Sequence, residues 1–539
     1  MESTYSSKSL SHLGIVSGMI DELGLVEAID NQLQTDGIER TVSLGTLCKA
    51  LILNGLGFSQ RTLYMVPTFF ADKPIELLLG EGIESDQLND TVLGRCLDSI
   101  HSYGCTTLYA NLAPQICERL GLKPKTVHMD STDFHVDGVY NSRSADVGEH
   151  VIHIRPGYSR DHRPDLNQVV LNLIVDNEAG IALHMAGLDG NTSDKTAFNE
   201  TLRDHIGQLQ AVYSIDCVVM DSAGYTKKTI TDCGETIKWV SRVPDTLTES
   251  KKAIESHYET WIPLCEGYEY VPLSSNYGDI EQRWLLVYSQ EAFNREIITL
   301  KKKYAKESEK EYQAFLKLTH QVFDCESDAQ KAIDRFVEKC NYLSFNHLEF
   351  KEVPIFDKKG RPKKGALPVA IHFQIQANAS CEYSTFEAMA HTKGKFIVAT
   401  NELDNIKLDN EALFKTYKGQ SKVEKGFRFL KDPQFIAATL FVKKPERVEA
   451  LLFIMTLCLT VYAAIEYRIR QKLQAENETL PNQLGKEVKN PTARWLFACF
   501  TGIHVLYDSD KVCILNFKPL HLKIINLLGH QYRKYYLIE

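Results

Sequence analysis

The most informative pattern in the chain is formed by residues 417–431, YKGQSKVEKGFRFLK. If it forms one helix with 3.6 residues per turn, five polar side chains share one face: Tyr417, Gln420, Glu424, Arg428 and Lys431. Val423, Phe427 and Leu430 form an adjoining apolar stripe that can anchor the helix on a core. The pattern predicts a single carboxylate held among cations. A solvated basic helix, whose glutamate pairs with Arg428, is the alternative.

Charge is unevenly distributed along the 539 residues, whose net charge is −9. From residue 415 to residue 447 there are nine Lys or Arg against three Asp or Glu, whereas residues 1–95 hold six basic and thirteen acidic side chains. The chain therefore has no global basic field, and any nucleic-acid binding must come from local patches. A helix-turn-helix at 43–65 that presents Arg61 is one interpretation of the acidic region, and plain helical packing is the other.

Several classes of protein are excluded by composition. Thirteen cysteines without a CxxC pair suit reduced intracellular thiols and give no zinc motif. The first residues lack the pattern of a secretion signal. The longest apolar run, 450–465, is shorter than a membrane span, so we expect a buried helix and no membrane partner.

Two aspartates stand where predicted strands end. Asp130 closes the run VHMD, and Asp221 closes CVVMD, in a region where hairpin signals give way to alternating helix and strand. Such positions are where α/β folds place their sites, although Asp221 alone could simply cap a helix. Together with Glu424 they offer three oxygen donors, which suit Mg²⁺ or Mn²⁺. A pair of such ions catalyses phosphoryl displacement.

With these residues the chain resembles DDE transposases of bacterial or archaeal insertion sequences. More narrowly, it is similar to the branch with the signature Tyr-x(2)-Arg-x(3)-Glu-x(6)-Lys. Tyr417, Glu424 and Lys431 match this signature, while Gln420 replaces its arginine. The stretches GYSRDHRPDLNQ (157–168), EQRWLLVYS (281–289) and GKFIVATNELD (394–404) resemble the same family.

The resemblance implies a ribonuclease-H-like α/β domain with a mixed sheet, interrupted by a β-containing insert and flanked by helical regions. We predict the following division: a helical N-terminal region (1–95), a candidate for binding DNA ends; a helical connector (96–125); the first part of the catalytic domain (126–245); the insert (246–393); the second part of the catalytic domain (394–470); and a helical C-terminal region (471–539), a candidate for dimerisation.

The activity that the resemblance implies is metal-dependent cleavage at the ends of an insertion sequence, followed by 3′-OH strand transfer. Asp130, Asp221 and Glu424 would hold two Mg²⁺ or Mn²⁺ ions. The implied partners are double-stranded DNA, as terminal inverted repeats and target DNA, and a second copy of the chain in the synaptic complex. The implied location is the prokaryotic cytoplasm, at the nucleoid when the protein is bound to DNA.

Other residues are expected to bind DNA or to compete for these roles. Tyr417, Gln420, Arg428 and Lys431 would contact phosphate, and Arg160 and Arg163, with Arg155 and His162, would do so from a loop or be ordinary loop charges. Trp284 or Trp261 would stack on a flipped base or lie buried in the insert. Asp133 and Asp137 compete with Asp130 as the first metal ligand, but Asp133 would point to the opposite strand face. The rival functions are a nuclease without strand transfer and an inactive DNA-binding regulator.

Overall fold

The computed structural model describes residues 5–34, 40–57, 62–136, 151–157, 163, 165–193, 201, 205–234, 236–357, 364–431, 442–508 and 511–538. The chain divides into two units. The first consists of residues 1–242, 275–282 and 399–539, and the second of residues 243–274 and 283–398. The aspartates and the stretch 417–431 all belong to the first unit.

The N-terminal part of the first unit is helical, as its apolar periodicity predicts. The Ser43 hydroxyl accepts a hydrogen bond from the Thr46 N–H at 3.2 Å and so caps the helix that follows. Arg61 lies outside the described residues, so the turn of the helix-turn-helix interpretation is not described. The elements are β1 (Ser6–Ser9), α1 (Leu13–Glu22), α2 (Leu25–Gln32), α3 (Leu44–Gly55), α4 (Val66–Ala71), α5 (Ile75–Leu79), α6 (Asp90–Tyr103) and α7 (Cys105–Leu120).

A mixed sheet follows, and it contains both aspartate-bearing strands. Its members in the first unit are β2 (Thr126–His135), β3 (Arg155–Pro156), β4 (Asn167–Asp176), β5 (Ala182–Leu188), β6 (Cys217–Met220) and β7 (Lys238–Arg242), with helices α8 (Gly207–Tyr213) and α9 (Lys227–Cys233). The predicted hairpin is β4 and β5, joined at the turn DNEAG.

The strand order identifies the sheet. It runs β5-β4-β2-β6-β7, and the two-residue strand β3 also pairs with β4. Strand β4 is antiparallel to β2 and β5, whereas β6 is parallel to β2 and β7 is parallel to β6. If β3 is left out, these strands are third, second, first, fourth and fifth in chain order, the arrangement of a ribonuclease-H-like sheet. The predicted fold class, a mixed-sheet α/β domain with an insert and helical regions at both ends, is therefore confirmed.

The second unit contains a four-strand stretch of sheet and a separate long β-ribbon. Its elements are α10 (Thr248–Glu255), β8 (Ile262–Cys265), β9 (Tyr268–Ser275), β10 (Gln282–Ser289), α11 (Gln290–Thr319), α12 (Glu326–Val337), β11 (Leu343–Ile355), β12 (Ala370–Cys381), α13 (Tyr383–His391) and β13 (Lys395–Thr400). Strands β13, β10, β9 and β8 are neighbours in that order, and β11 pairs with β12. A small core around Phe315, Ile333 and Ile375 packs the helices on the ribbon.

The remainder of the first unit is built around one long helix. Its elements are α14 (Asn410–Lys418), α15 (Ser421–Leu430), α16 (Pro445–Ala475), β14 (Leu480–Pro481), β15 (Glu487–Val488), α17 (Ala493–Cys499), β16 (His504–Asp508), β17 (Lys511–Leu515) and α18 (Pro519–Leu528). Helix α16 is long and apolar enough to cross a membrane, but 83% of its most apolar window is buried inside the protein. It is the core helix predicted from residues 450–465.

The two ends of the chain pack together in the first unit. Gly14 and Gly18 of α1 leave a groove that Tyr536 and Tyr532 fill, and a Cβ at Gly18 would lie 2.3 Å from the ring of Tyr532. Strand β1 also pairs with β16, from Ser6 opposite Tyr507 to Ser9 opposite His504. The C-terminal region is thus not purely helical as predicted, because short strands 500 residues apart pair with each other.

One buried acid on α16 predicts a pH dependence of stability. Burial raises the pKa of Glu449 from 4.5 to about 7; His101 of α6 lies 3.5 Å away, and Cys105 of α7 faces the same carboxyl group. The folded state holds this proton more tightly than the unfolded state does. The stabilisation is therefore complete below pH 4.5 and is lost as the pH rises through 7.

We expect Glu449→Gln to raise the free energy of unfolding above pH 8 by about 2–3 kcal/mol relative to the unmodified chain, with little difference at pH 4.5. Urea unfolding at both pH values measures this. Glu476→Gln, at the exposed end of the same helix, is the control and should change neither. An equal gain for Glu449→Gln at both pH values would contradict the prediction.

Candidate active site

The two aspartates are carried by neighbouring parallel strands. Strand β2 pairs with β6 from Thr126 opposite Cys217 to His128 opposite Val219. Each pair is 91 residues apart (217 − 126), and Asp130 and Asp221 have the same separation (221 − 130). Asp221 directly follows β6. Continued by two residues, this register would set Asp130 level with Asp221, on strands separated by about 4.8 Å.

Local hydrogen bonds orient both carboxylates. Asp130, of which 5% is exposed, accepts a bond at Oδ1 from the Ser131 N–H at 2.8 Å. Asp221 follows the last residue of β6, and its Oδ1 accepts bonds from the N–H groups of Ala223 (2.9 Å) and Gly224 (3.1 Å). These bonds close the turn after β6 and fix the carboxylate there. The alternative of a helix cap at Asp221 is wrong, because the N-cap of α9 is Thr226, whose hydroxyl accepts a bond from the Thr229 N–H.

The stretch 417–431 is not one helix. It is divided between α14 and α15 at Gly419 and Gln420, although both residues keep helical backbone angles. The Gln420 N–H bonds to the Tyr417 carbonyl oxygen three residues back, at 3.1 Å, which tightens the chain there. The prediction of one unbroken helix is therefore wrong. The shared face of Tyr417 and Glu424 stays a prediction, because the Glu424 side chain lies outside the described residues.

Gly419 lies too close to its neighbours to carry a side chain. A Cβ on Gly419 would lie 2.2 Å from Asn177 Oδ1 and 3.1 Å from His128 Nε2. His128 Nε2 and Asn177 Oδ1 are themselves 2.8 Å apart and hydrogen bonded. Because His128 and Asp130 are two residues apart on β2, their side chains share a face. The close approach of Gly419 therefore brings the start of α15 over the sheet face that carries Asp130.

Helix α15 is anchored by the predicted apolar stripe. Phe427 and Leu430 are buried, at 6% and 1% exposed, and Phe429 packs its ring 4.1 Å from that of Tyr462 on α16. The side chains of Val423 and Glu424 lie outside the described residues. The structure thus gives the backbone position of Glu424, in the first turn of a helix fixed at both ends, and leaves its carboxylate a prediction.

The other predicted DNA-binding residues are spread more widely. Tyr417, Gln420 and Lys431 are partly exposed and Arg428 is exposed. Lys418 and Lys425, on the same two helices, are exposed as well. The region therefore presents a basic surface beside the aspartate-bearing face.

Several candidates are not brought to this face. Arg163 pairs with Asp165 at 2.8 Å, and Arg155 pairs with Asp189 at 2.7 Å. Arg160, His162 and Asp137 lie outside the described residues. Trp284 is buried in the second unit, with 3% of it exposed, so the core position is the role that the structure favours and its ring is not available for stacking. Trp261 packs edge-on against Tyr258 and Tyr288.

Asp133 has a partner of its own. Its Oδ1 lies 3.3 Å from the ammonium of Lys431, directly after α15. The pairing of β2 with β4 is regular, with Asp130 opposite Leu173 and Asp133 opposite Val170. Asp133 thus points to the face opposite Asp130, as expected from their odd spacing. Sequence reasoning missed this ion pair and the contacts of His128 and Asn177 with Gly419, since each joins residues far apart in the chain.

The donor set fits a hard divalent cation. Asp130 lies in the middle of β2, not at its end as predicted, whereas Asp221 directly follows β6. These two carboxylates, together with a glutamate on the helix that begins near the same face, are the oxygen ligands that Mg²⁺ and Mn²⁺ prefer. Among the residues that the structure describes, no group of three or more His, Cys, Asp or Glu side chains is placed to hold a metal ion. The side chain of Glu424 is not among those residues.

Two family models match separate parts of the chain. Residues 121–461, well over half of the chain, match the family model described as "Transposase DDE domain". Residues 5–114 match a model described as a domain of unknown function, DUF4277. No curated protein matches the chain. A cryo-EM structure of a piggyBac transposase synaptic complex with hairpin DNA aligns with 98% of this chain and 88% of that one, at 8% identity and a TM-score of 0.38.

Proposed function

Because the chain belongs to the family of proteins with a transposase DDE domain, we propose that it cuts DNA at the ends of a prokaryotic insertion sequence and joins the freed 3′ ends to target DNA. The observation that supports the proposal is the register of β2 with β6, which would set Asp130 level with Asp221 if continued by two residues. The close approach of Gly419 to His128 brings the chain that leads into the Glu424 helix toward the same strand. An aspartate that only closes a turn would not require a second carboxylate at the same level of the neighbouring strand.

The three carboxylates would hold two Mg²⁺ or Mn²⁺ ions, which would activate a nucleophilic oxygen and stabilise the leaving one. In the first reaction, water attacks a phosphodiester at the element end, the bond to the 3′ oxygen breaks, and a free 3′-OH remains. In the second, this 3′-OH attacks a target phosphodiester, so one P–O bond forms as another breaks. No energy-rich cofactor is needed, because the bond count is conserved.

The basic surface beside the site would hold the DNA. Lys431 and Tyr417 would contact phosphate of the non-transferred strand, and exposed Arg428 would add a charged fork, which arginine offers to phosphate in a bidentate way. Double-stranded DNA with terminal inverted repeats, and target DNA, are the partners. Two copies of the chain would bring two ends together. Such work takes place where DNA lies, which in a prokaryotic cell is the nucleoid.

The test is a joining assay with the full chain. Labelled duplexes carrying the inverted repeats that flank the coding sequence are incubated with a supercoiled plasmid, in Mg²⁺ or in EDTA. We expect cleavage at the repeat end and covalent transfer of label to plasmid in Mg²⁺ alone. Cleavage without transfer would indicate a nuclease, and binding without either reaction would indicate a regulator; each result overturns the proposal. A duplex of shuffled sequence is the control substrate.

Gln420 replaces the arginine of the signature, and we predict a moderate change in DNA binding when the arginine is restored. Glutamine donates neutral hydrogen bonds to phosphate, whereas arginine offers a charged fork. We expect Gln420→Arg to tighten binding of the cleaved end and to steepen its salt dependence by about one phosphate contact. Binding of cleaved-end and shuffled duplexes across a salt series measures this. Equal small gains on both duplexes would show that residue 420 does not face the bound end.

A further inference from the structure

The ion pair between Asp133 and Lys431 is more deeply buried than a surface ion pair. Asp133 is 6% exposed and the side chain of Lys431 is 27% exposed. Lys431 is fixed in turn by its own N–H, which donates to the Phe427 carbonyl oxygen at 3.0 Å. A buried carboxylate is normally retained only where a cation or hydrogen-bond donors compensate its charge.

The second oxygen of Asp133 shows that this site is not arranged for packing alone. Oδ2 is buried and has no hydrogen-bond partner among the described residues. An apolar side chain, or an amide with two kinds of polar atom, would fill the same space without leaving a charged oxygen unmatched. The charge itself is therefore the property that the position needs, and the group that it meets is the ammonium of Lys431.

The position of Asp133 along β2 indicates a role for its negative charge. Asp133 is three residues beyond Asp130 on β2, about 10 Å along an extended strand. The described pairing of β2 with β6 ends at His128, so the edge of β2 beside Asp133 can receive a side chain from the end of α15. The ammonium is thus held at a set distance from the aspartate pair, on the side where α15 ends.

We propose that Asp133 is a positioning residue: its carboxylate holds the Lys431 ammonium where it contacts a phosphate of the DNA end being cut. This role rests on the proposed function. It also explains why two aspartates occur three residues apart on one strand. Asp130 serves the reacting centre and Asp133 serves the cation beside it.

Three variants test the role together: Asp133→Asn, Lys431→Ala and the double variant. We expect each single change to lower the rate of end cleavage about 10-fold, and the double variant to be no slower than Lys431→Ala, because both act through one contact. Asp133→Glu should recover part of the rate. The Mn²⁺ concentration needed for half-maximal cleavage should stay unchanged. Asp165→Asn, which removes the exposed partner of Arg163, is the matched control.

A second measurement does not depend on cleavage. Reductive methylation of the lysines, followed by mass spectrometry, should modify Lys431 faster in Asp133→Asn than in the unmodified chain or in Asp165→Asn. Additive rate losses, or a raised Mn²⁺ requirement, would overturn the proposal, the latter by making Asp133 a metal ligand. So would an unchanged methylation rate. If the unmodified chain binds ends without cutting them while the methylation difference persists, the proposed function fails and the ion pair remains.

Discussion

Replacing Asp221 by asparagine is expected to lower the rate of DNA-end cleavage by about 10³-fold and to leave DNA binding nearly unchanged. The loss follows from removing one negative ligand from a site whose cations supply several kcal/mol of transition-state stabilisation. The fold should survive, because Asn Oδ1 can accept the same bonds from the N–H groups of Ala223 and Gly224. The measurement is single-turnover cleavage in Mg²⁺, with binding followed in EDTA.

The matched control for this prediction is Asp216→Asn. Asp216 is exposed and directly precedes β6, at the opposite end of the strand from Asp221. Its replacement should leave cleavage and binding within about twofold of the unmodified chain, since isolated surface changes have small effects. If Asp221→Asn cleaves at the normal rate, the Asp221 side chain only closes the turn after β6 and the site must lie elsewhere.

The second large effect is expected at Gly419. In Gly419→Ala the new methyl group would lie 2.2 Å from Asn177 Oδ1, far inside van der Waals contact, so the start of α15 must lift from β2. Misplacement of a catalytic group by about 1 Å can cost about 10²-fold in rate. We therefore expect cleavage to fall about 100-fold, with end binding reduced much less because the exposed cations are retained.

Two further variants separate misplacement from general damage. In Gly426→Ala, on the same helix, the atoms nearest to the new methyl group would be methyl and methine carbons of Leu459, the closest at 3.2 Å. This variant should cleave at close to the normal rate. Asn177→Ala in the Gly419→Ala background removes the closest obstacle and should recover part of the rate. Thermal unfolding of all variants shows whether they are folded. A normal rate for Gly419→Ala would mean that this junction does not set the position of Glu424.

The sheet and its two aspartates could be predicted from the sequence, because the patterns that indicate them are local. A short apolar run followed by aspartate describes both β2 and β6, and the DNEAG turn defines the hairpin between β4 and β5. Even the register was implicit, since the 91-residue separation of Asp130 and Asp221 is that of every described pair between the strands. The resemblance supplied the choice between Asp130 and Asp133, and the strand faces agree with it.

The helix break at Gly419 could not be predicted from local sequence patterns. Glycine there adopts φ of −55°, which any residue can adopt, so nothing in the local conformation requires it. The requirement comes from Asn177 and His128, more than 200 residues earlier in the chain. The same reason hid the pairing of β1 with β16, and the ion pair of Asp133 with Lys431. Side-chain periodicity reports which face of an element is buried, not which distant residue buries it.

The tyrosines that fill the groove of α1 also determine when, during synthesis, the packing around α1 can be completed. Tyr536 bonds through its hydroxyl to the Ser11 carbonyl oxygen, 525 residues earlier. At roughly 5–20 residues per second, a ribosome needs about 25–100 s to travel between them. Throughout that time Gly14 and Gly18 have no aromatic cover, while the whole DDE domain emerges. A chain released before residue 530 would keep this groove open, so premature termination is expected to yield a protein that chaperones and proteases can recognise.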